Sequence, residues 1–209
     1  MTSSPTKRRY NSPRRQAQAG QTRLHILQTA RELFIQHGYA GATIEAIAQA
    51  AGVAPETIYA TFGSKRALLA AQFRLAVGGD EQPVPLLQRP GPQAVLREPD
   101  PVLRLHLFAA DIVHILERVA PLFAVTRAAA RGEPEIDALL RGILADRLRT
   151  LSEFAASLPL RPGLDLASAG ETVWALSSPE LYSLLTVDNG WPQERYVEWL
   201  GDSLARLLL

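Results

Sequence analysis

Thr43, Thr57, Tyr59, Ser64, Lys65 and Arg66 bring four hydroxyl groups and two cations into one short stretch of this chain. The Thr57 and Tyr59 hydroxyls can donate to phosphate oxygens and so set the register of a nucleic-acid backbone. Ser64-Lys65-Arg66 stands where a helix begins, so a cap, unpaired N–H groups and two positive charges coincide in a phosphate clamp. This is the chemistry of holding a polyanion, not of turning over a substrate. No glycine-rich phosphate loop, nucleophile elbow or zinc-protease signature occurs in the sequence. His106, Asp111 and His114 raise the question of a metal. Asp111 and His114, three apart, share a helix face, but His106 is turned by about 80° from His114 in an ideal helix. A joint site is therefore disfavoured, and neither a metal nor a cofactor is expected.

The elements that must position these groups run from Thr43 to Leu69. Ile44, Ile47, Ala48 and Ala51 fall at i, i+3, i+4 and i+7, which gives a short helix one buried stripe. Thr43 is its N-cap by residue type. Gly52 supplies the residue free to take a positive φ at a sharp turn, and Val53 can plug the angle between two helices. A second helix starts at Pro55, where the missing N–H costs nothing. Ile58 and Phe62 anchor it. Stepping 100° per residue from that anchor line turns Glu56, Thr57 and Ala60 outward, with Tyr59 and Thr61 on the flanks. A face of small and short polar groups suits a major groove, because the helix axis can sink between the phosphate walls.

Charge distribution points the same way. The net charge is only +1 over 209 residues. Residues 1–66, however, carry nine cations against three acids, and the remainder thirteen against eighteen. Asymmetry of that size implies a polyanionic partner for the N-terminal part. With 47% hydrophobic residues the chain can bury a substantial core, and with no cysteine it forms no disulfide or thiolate metal site. No apolar run approaches the ~20 residues of a membrane span, so no membrane partner and a cytoplasmic location are expected.

Residues 22–77 resemble the tetracycline-repressor (TetR) family of bacterial transcriptional regulators. The likeness rests on Ile26, Leu27, Ala30, Leu33 and Phe34 ahead of His37-Gly38-Tyr39. It continues through the threonine-initiated helix, the Gly52-Val53 turn, Thr57-Ile58-Tyr59, Phe62, Ser64-Lys65 and Leu68-Leu69. The resemblance implies phosphate contacts by Thr43, Tyr59 and Lys65, and a groove-facing set of Pro55, Glu56, Thr57, Ala60 and Thr61. Many members carry Ser-Lys or Ser-Arg where this chain has Ala54-Pro55, and a large pair where it has Ala60-Thr61, so base readout here is poor in long donors. Glu56 has two readings: an acceptor for a cytosine amino group, or a partner of the helix dipole.

The class expected is all-α, in three parts. Residues 1–20, a Ser/Pro/Gln/Arg stretch, read as a disordered basic arm whose arginines add non-specific attraction. Residues 21–66 form the helix-turn-helix domain of three helices. Residues 67–209 hold a connecting helix, a proline-rich loop over about 83–101 and a larger helical domain. In that domain, helices are predicted over Val102–Val119, Glu133–Leu158, Leu164–Leu176 and Pro192–Leu208, with prolines breaking them at 121, 159, 162, 179 and 192.

The resemblance gives this domain an effector pocket and a homodimer contact through the last two long helices. Candidate pocket residues are His106, Phe108, His114, Phe123, Phe154, Trp174 and Tyr182. Candidate dimer residues are Val173, Leu176, Tyr196, Val197, Leu200, Leu204 and Leu207. The function expected is a ligand-responsive homodimeric repressor of a palindromic double-stranded DNA operator, its effector a small molecule of unknown identity. The alternative is a small all-α ligand carrier or enzyme with only an architectural helix-turn-helix.

Overall fold

The computed structural model describes residues 13–209. Residues 1–12, with Lys7, Arg8 and Arg9 of the expected arm, lie outside the described residues. Among the described residues every regular element is helical. Helix α1 spans Pro13–Gly41 and kinks at Gly38 (φ 69°, ψ 176°), so the regular helix ends at His37-Gly38-Tyr39 as the sequence implies. At its start the structure differs from the expectation, since residues 13–20 are helical instead of patternless. Alanine and glutamine alternate there, and both have favourable helix propensity.

Helices α2 (Ile44–Ala51), α3 (Pro55–Phe62) and α4 (Lys65–Gly78) follow. α1, α2 and α4 enclose α3 from one side, with Ile26, Leu27, Ala30, Phe34, Ile47, Ile58, Leu68 and Leu69 all buried. Gln72 of α4 donates to the buried Leu27 carbonyl and joins α4 to α1.

The proline-rich segment is not a plain loop. It holds a single 3₁₀ turn, Leu86–Gln88, and helix α5, Pro90–Arg97. Pro90 sits at the first helical position, where a proline loses no hydrogen bond, and Val95 buries the helix against α6. Helix α6 (Pro101–Ala130) runs straight through Pro121. An interior proline forfeits a hydrogen bond and costs about 3 kcal/mol. Here Val119, Ala120, Leu122 and Phe123 are all buried beside it, and that packing keeps the helix continuous.

Helices α7 (Pro134–Ala155), α8 (Leu166–Leu176), α9 (Pro179–Ser183) and α10 (Gln193–Leu208) complete the chain, with one turn of π-helix at Leu184–Asp188. α6 is the central rod: α1, α4, α7, α9 and α10 all pack on it. α7 and α8 pair closely because Gly170 carries no side chain; a Cβ there would stand 3.0 Å from the Ser152 Cβ.

Candidate nucleic-acid interface

The recognition geometry is built from caps and one turn. The Thr43 hydroxyl accepts from the Ala46 N–H at 3.1 Å, which starts α2 where residue type placed it. Gly52 (φ 64°, ψ 33°) closes the helix in the left-handed region, its N–H and that of Val53 returning to carbonyls of Gln49 and Ala48. A Cβ at Gly52 would meet nothing within 4 Å, so only the backbone conformation opposes a side chain. Gly52→Ala is expected to lower the unfolding free energy by about 1–2 kcal/mol, read by chemical denaturation. An unchanged midpoint would mean that the turn tolerates another conformation.

α3 has one fully buried side chain, Ile58. Phe62 is half-buried, with the Arg23 guanidinium 4.3 Å above its ring. Glu56, Tyr59 and Ala60 are exposed, Tyr59 by 49%. Pro55 and Thr57 are half-buried at the edge of this face, and so is Thr61, whose hydroxyl donates to the Thr57 carbonyl at 2.6 Å. Of the outward set expected from 100° steps, Glu56 and Ala60 are exposed but Thr57 is half-buried, while Tyr59, expected on a flank, is exposed and Thr61 is committed to its own backbone. Ser64 caps α4 by accepting from the Ala67 N–H.

Lys65 is held more firmly than its sequence suggests. Its Nζ donates to the Tyr39 carbonyl at 2.8 Å and lies 4.2 Å over the Tyr39 ring. Burial raises the Tyr39 hydroxyl to a pKa of about 12, helped by Glu133 and Glu135. Arg66 is exposed and lies 3.8 Å from Glu135, a pair worth little in water.

Arg23 is a residue that sequence reasoning missed. From α1 it donates to the Thr61 carbonyl (3.1 Å) at the end of α3 and pairs with Glu81 (2.8 Å) beyond the end of α4. One guanidinium therefore links the exposed helix to the segment leading into the second domain. No local pattern marks it, because its partners are 38 and 58 residues away.

In the second domain the expected pocket set separates. Phe108 and Phe154 stack at 4.3 Å and line an apolar room of only about 20 Å³ with Leu86, Val95, Ile112 and Leu151. His114 lies instead on a neighbouring cleft of about 280 Å³ between the end of α4, α5 and α6. Phe123 packs on Phe73, and Tyr182 on Tyr196, in the core away from both spaces. His106 faces Asp202 at 3.4 Å, and Trp174 lies under Arg147, at 5.5 Å. Asp111, weighed in the sequence only as a metal ligand, lines both the room and the cleft. Among the described residues no cluster suited to a metal occurs.

The dimer set needs correction as well. Val173, Tyr196, Leu200 and Leu204 are fully buried inside the protomer. α10 spends that stripe on α6 and α8 of its own chain. Leu176 and Val197 are half-buried, and Leu207 is 46% exposed. The outward faces of these helices carry Leu166 and Ala175 on α8 and Glu194, Glu198, Arg206 and Leu207 on α10. Periodicity finds a buried stripe but does not say which neighbour buries it.

Comparison with known proteins falls on the same segment. Residues 26–71 match the family described as bacterial regulatory proteins, tetR family. The HTH-type transcriptional regulator UidR of Escherichia coli strain K12 is 41% identical over 56 residues, covering 27% of this chain and 29% of that relative. The chain thus matches under a third of the length of the curated relative. Two solved structures are similar over nearly their whole length. NalD, the secondary repressor of the MexAB-OprM multidrug efflux pump in Pseudomonas aeruginosa, has a TM-score of 0.66 at 21% identity, covering 92% of this chain and 98% of its own. The fatty acid degradation regulator FadR from Bacillus halodurans has a TM-score of 0.67 at 21% identity, covering 88% and 95%. At such identity the likeness concerns the fold.

Proposed function

We propose that this chain, whose residues 26–71 match the tetR family of bacterial regulatory proteins, is a DNA-binding transcriptional regulator: a homodimeric repressor of a palindromic operator whose grip a small-molecule effector weakens. The observation that carries this reading is the exposed face of α3, with Glu56, Tyr59 and Ala60 outward and only Ile58 buried. α3 enters the major groove, where Ala60 lets the backbone approach and Glu56 selects among bases. Thr43, Tyr59 and Lys65 bind phosphates and set register. To do so Lys65 exchanges the Tyr39 carbonyl for a phosphate oxygen, and the Tyr39 ring keeps it aimed. A two-turn reading helix contacts few base pairs, so two copies gain affinity through effective concentration. Leu166, Ala175, Val197 and Leu207, on the outer sides of α8 and α10, are the apolar groups left for that pairing. No described helix is long and apolar enough to cross a membrane, and a role at an operator places the protein in the cytoplasm.

An effector acts by preferring one arrangement of the two domains. Polar grips on α4 supply the connection. Arg118 Nε of α6 donates to the Ala76 carbonyl at 2.7 Å, and Arg89 Nη1 donates to the Gly78 carbonyl at 2.6 Å, both in the last turn of α4. Arg23 then couples Glu81 to the end of α3. That NalD, of similar fold, is a repressor supports repression as the activity.

Binding to a palindromic duplex over a range of salt tests this reading and separates it from the carrier or enzyme. The logarithm of affinity is expected to fall steeply with the logarithm of salt, and Lys65→Ala to flatten the slope by about one. Tyr59→Ala weakens all operators alike, whereas Glu56→Ala relaxes preference at one base position. A slope near zero with every duplex would overturn the proposal.

A further inference from the structure

The cleft between α4, α5 and α6 is lined by Arg89, Asp111, His114 and Arg118 above an apolar floor of Val77, Leu86, Pro92 and Ile115. We propose that it takes a small organic acid, its carboxylate held by Arg118 and His114 and its apolar body laid on that floor toward the Phe108–Phe154 room. This rests on the effector-responsive reading and names the chemical class of the effector.

The charges in the cleft are not equally available. Arg89 is spent: it pairs with Asp80 at 2.9 Å and donates to the carbonyls of Gly78, Gln82 and Val84. Arg118 uses Nε on the Ala76 carbonyl, and among the described residues its two Nη groups have no acceptor. Arg31 of α1 adds a second guanidinium nearby, again without a carboxylate partner among the described residues. Its cation is disfavoured first by burial and then by Arg118. One carboxylate in the lining opposes these cations. Asp111 is the carboxylate that lines the cleft, and burial shifts it upward toward its neutral form against the pull of His114 and Arg118. The Nη groups of Arg118 are therefore the free cationic donors of the cleft among the described residues, with His114 beside them in the lining, and a guanidinium with idle donors matches a carboxylate in geometry.

Shape agrees with that chemistry. A volume of about 280 Å³ holds a small molecule, and Leu86, Pro92, Asp111 and Ile115 line both this cleft and the inner room, so one wall is continuous from polar mouth to apolar interior. Arg118 is also the residue that holds the end of α4, so an acid seated on its Nη groups bears on the connection between the two domains.

The test is isothermal titration of the full chain with octanoate, octylamine and octanol, which share a body and differ in the head. Octanoate is expected to bind at least about tenfold tighter than octanol, the effect of one charge-assisted hydrogen bond, and octylamine no tighter than octanol. Arg118→Gln loses that tenfold for octanoate and leaves octanol unchanged. Because Arg118→Gln can also disturb α4, Asp111→Asn is the second variant: removing a nearby negative charge should tighten octanoate. Tighter binding of octylamine than of octanol, lost in Asp111→Asn, would assign the cleft to amines and overturn the proposal. Equal binding of all three, or binding of none, would overturn it too. Operator binding by the same wild-type preparation tests the regulator reading independently, so the two can fail separately.

Discussion

Ile58→Ala is expected to lower the unfolding free energy by about 2–5 kcal/mol and to abolish specific duplex binding together with it. Ile58 is the one fully buried side chain of α3. A helix of eight residues is far too short to persist by itself in water, so its place depends on tertiary anchors. The other anchor, Phe62, is only half-buried and shares its ring with Arg23. With the Ile58 side chain cut back, the void lies beneath the helix proposed to meet the groove, and α3 loses both stability and orientation. Urea denaturation and operator titration of the same sample measure the two effects. Tyr59→Ala is the contrast, because Tyr59 is 49% exposed: it should weaken operator binding while the unfolding midpoint stays near that of the parent. A loss below about 1 kcal/mol for Ile58→Ala, with operator binding intact, would mean that α3 is held by something other than its buried stripe.

Phe154→Ala should cost about 3–5 kcal/mol, the range for truncating a buried aromatic. Phe154 is 2% exposed and stacks on Phe108 at 4.3 Å with the rings 15° from parallel. The room beside this pair has space for little more than one water, at about 20 Å³. Removing the ring joins its volume to that space, whose lining is mostly apolar, with Val95, Ile112, Ile115 and Leu151 beside Asp111 and Thr150, so the enlarged cavity should accept an apolar guest. Benzene is expected to raise the unfolding temperature of Phe154→Ala and leave that of the parent unchanged. If benzene stabilises neither protein, the neighbouring side chains have collapsed into the space, and the measured loss should then fall at the low end of the range.

How far the sequence carried the reading varies along the chain. The segment from Thr43 to Leu69 was legible because its determinants are local. A threonine three residues before the N–H it caps, a glycine free to take φ 64°, and a proline at the first turn of α3 act within one helical turn of where they stand. The 100° rotation per residue then orders the faces of α3 once its anchors are known. Pro121 and the 83–101 segment went the other way. A proline is a strong local signal, but neighbours decide what becomes of it. The packing around α6 carries the helix through Pro121, and Pro90 opens α5 where a loop was expected.

The amino-acid order alone thus determined the helical class, the caps and turn of the reading unit, the outward side of α3 and the concentration of positive charge near the N-terminus. All of these follow from interactions between residues a few positions apart. Only the tertiary structure decided that Tyr196, Leu200 and Leu204 serve the protomer's own core, that Phe108 and Phe154 nearly fill their room, that Arg89 and Arg118 grip the last turn of α4, and that Arg23 links the end of α3 to Glu81. An apolar stripe or a guanidinium can satisfy itself against many partners, and only the folded chain brings one of them within reach.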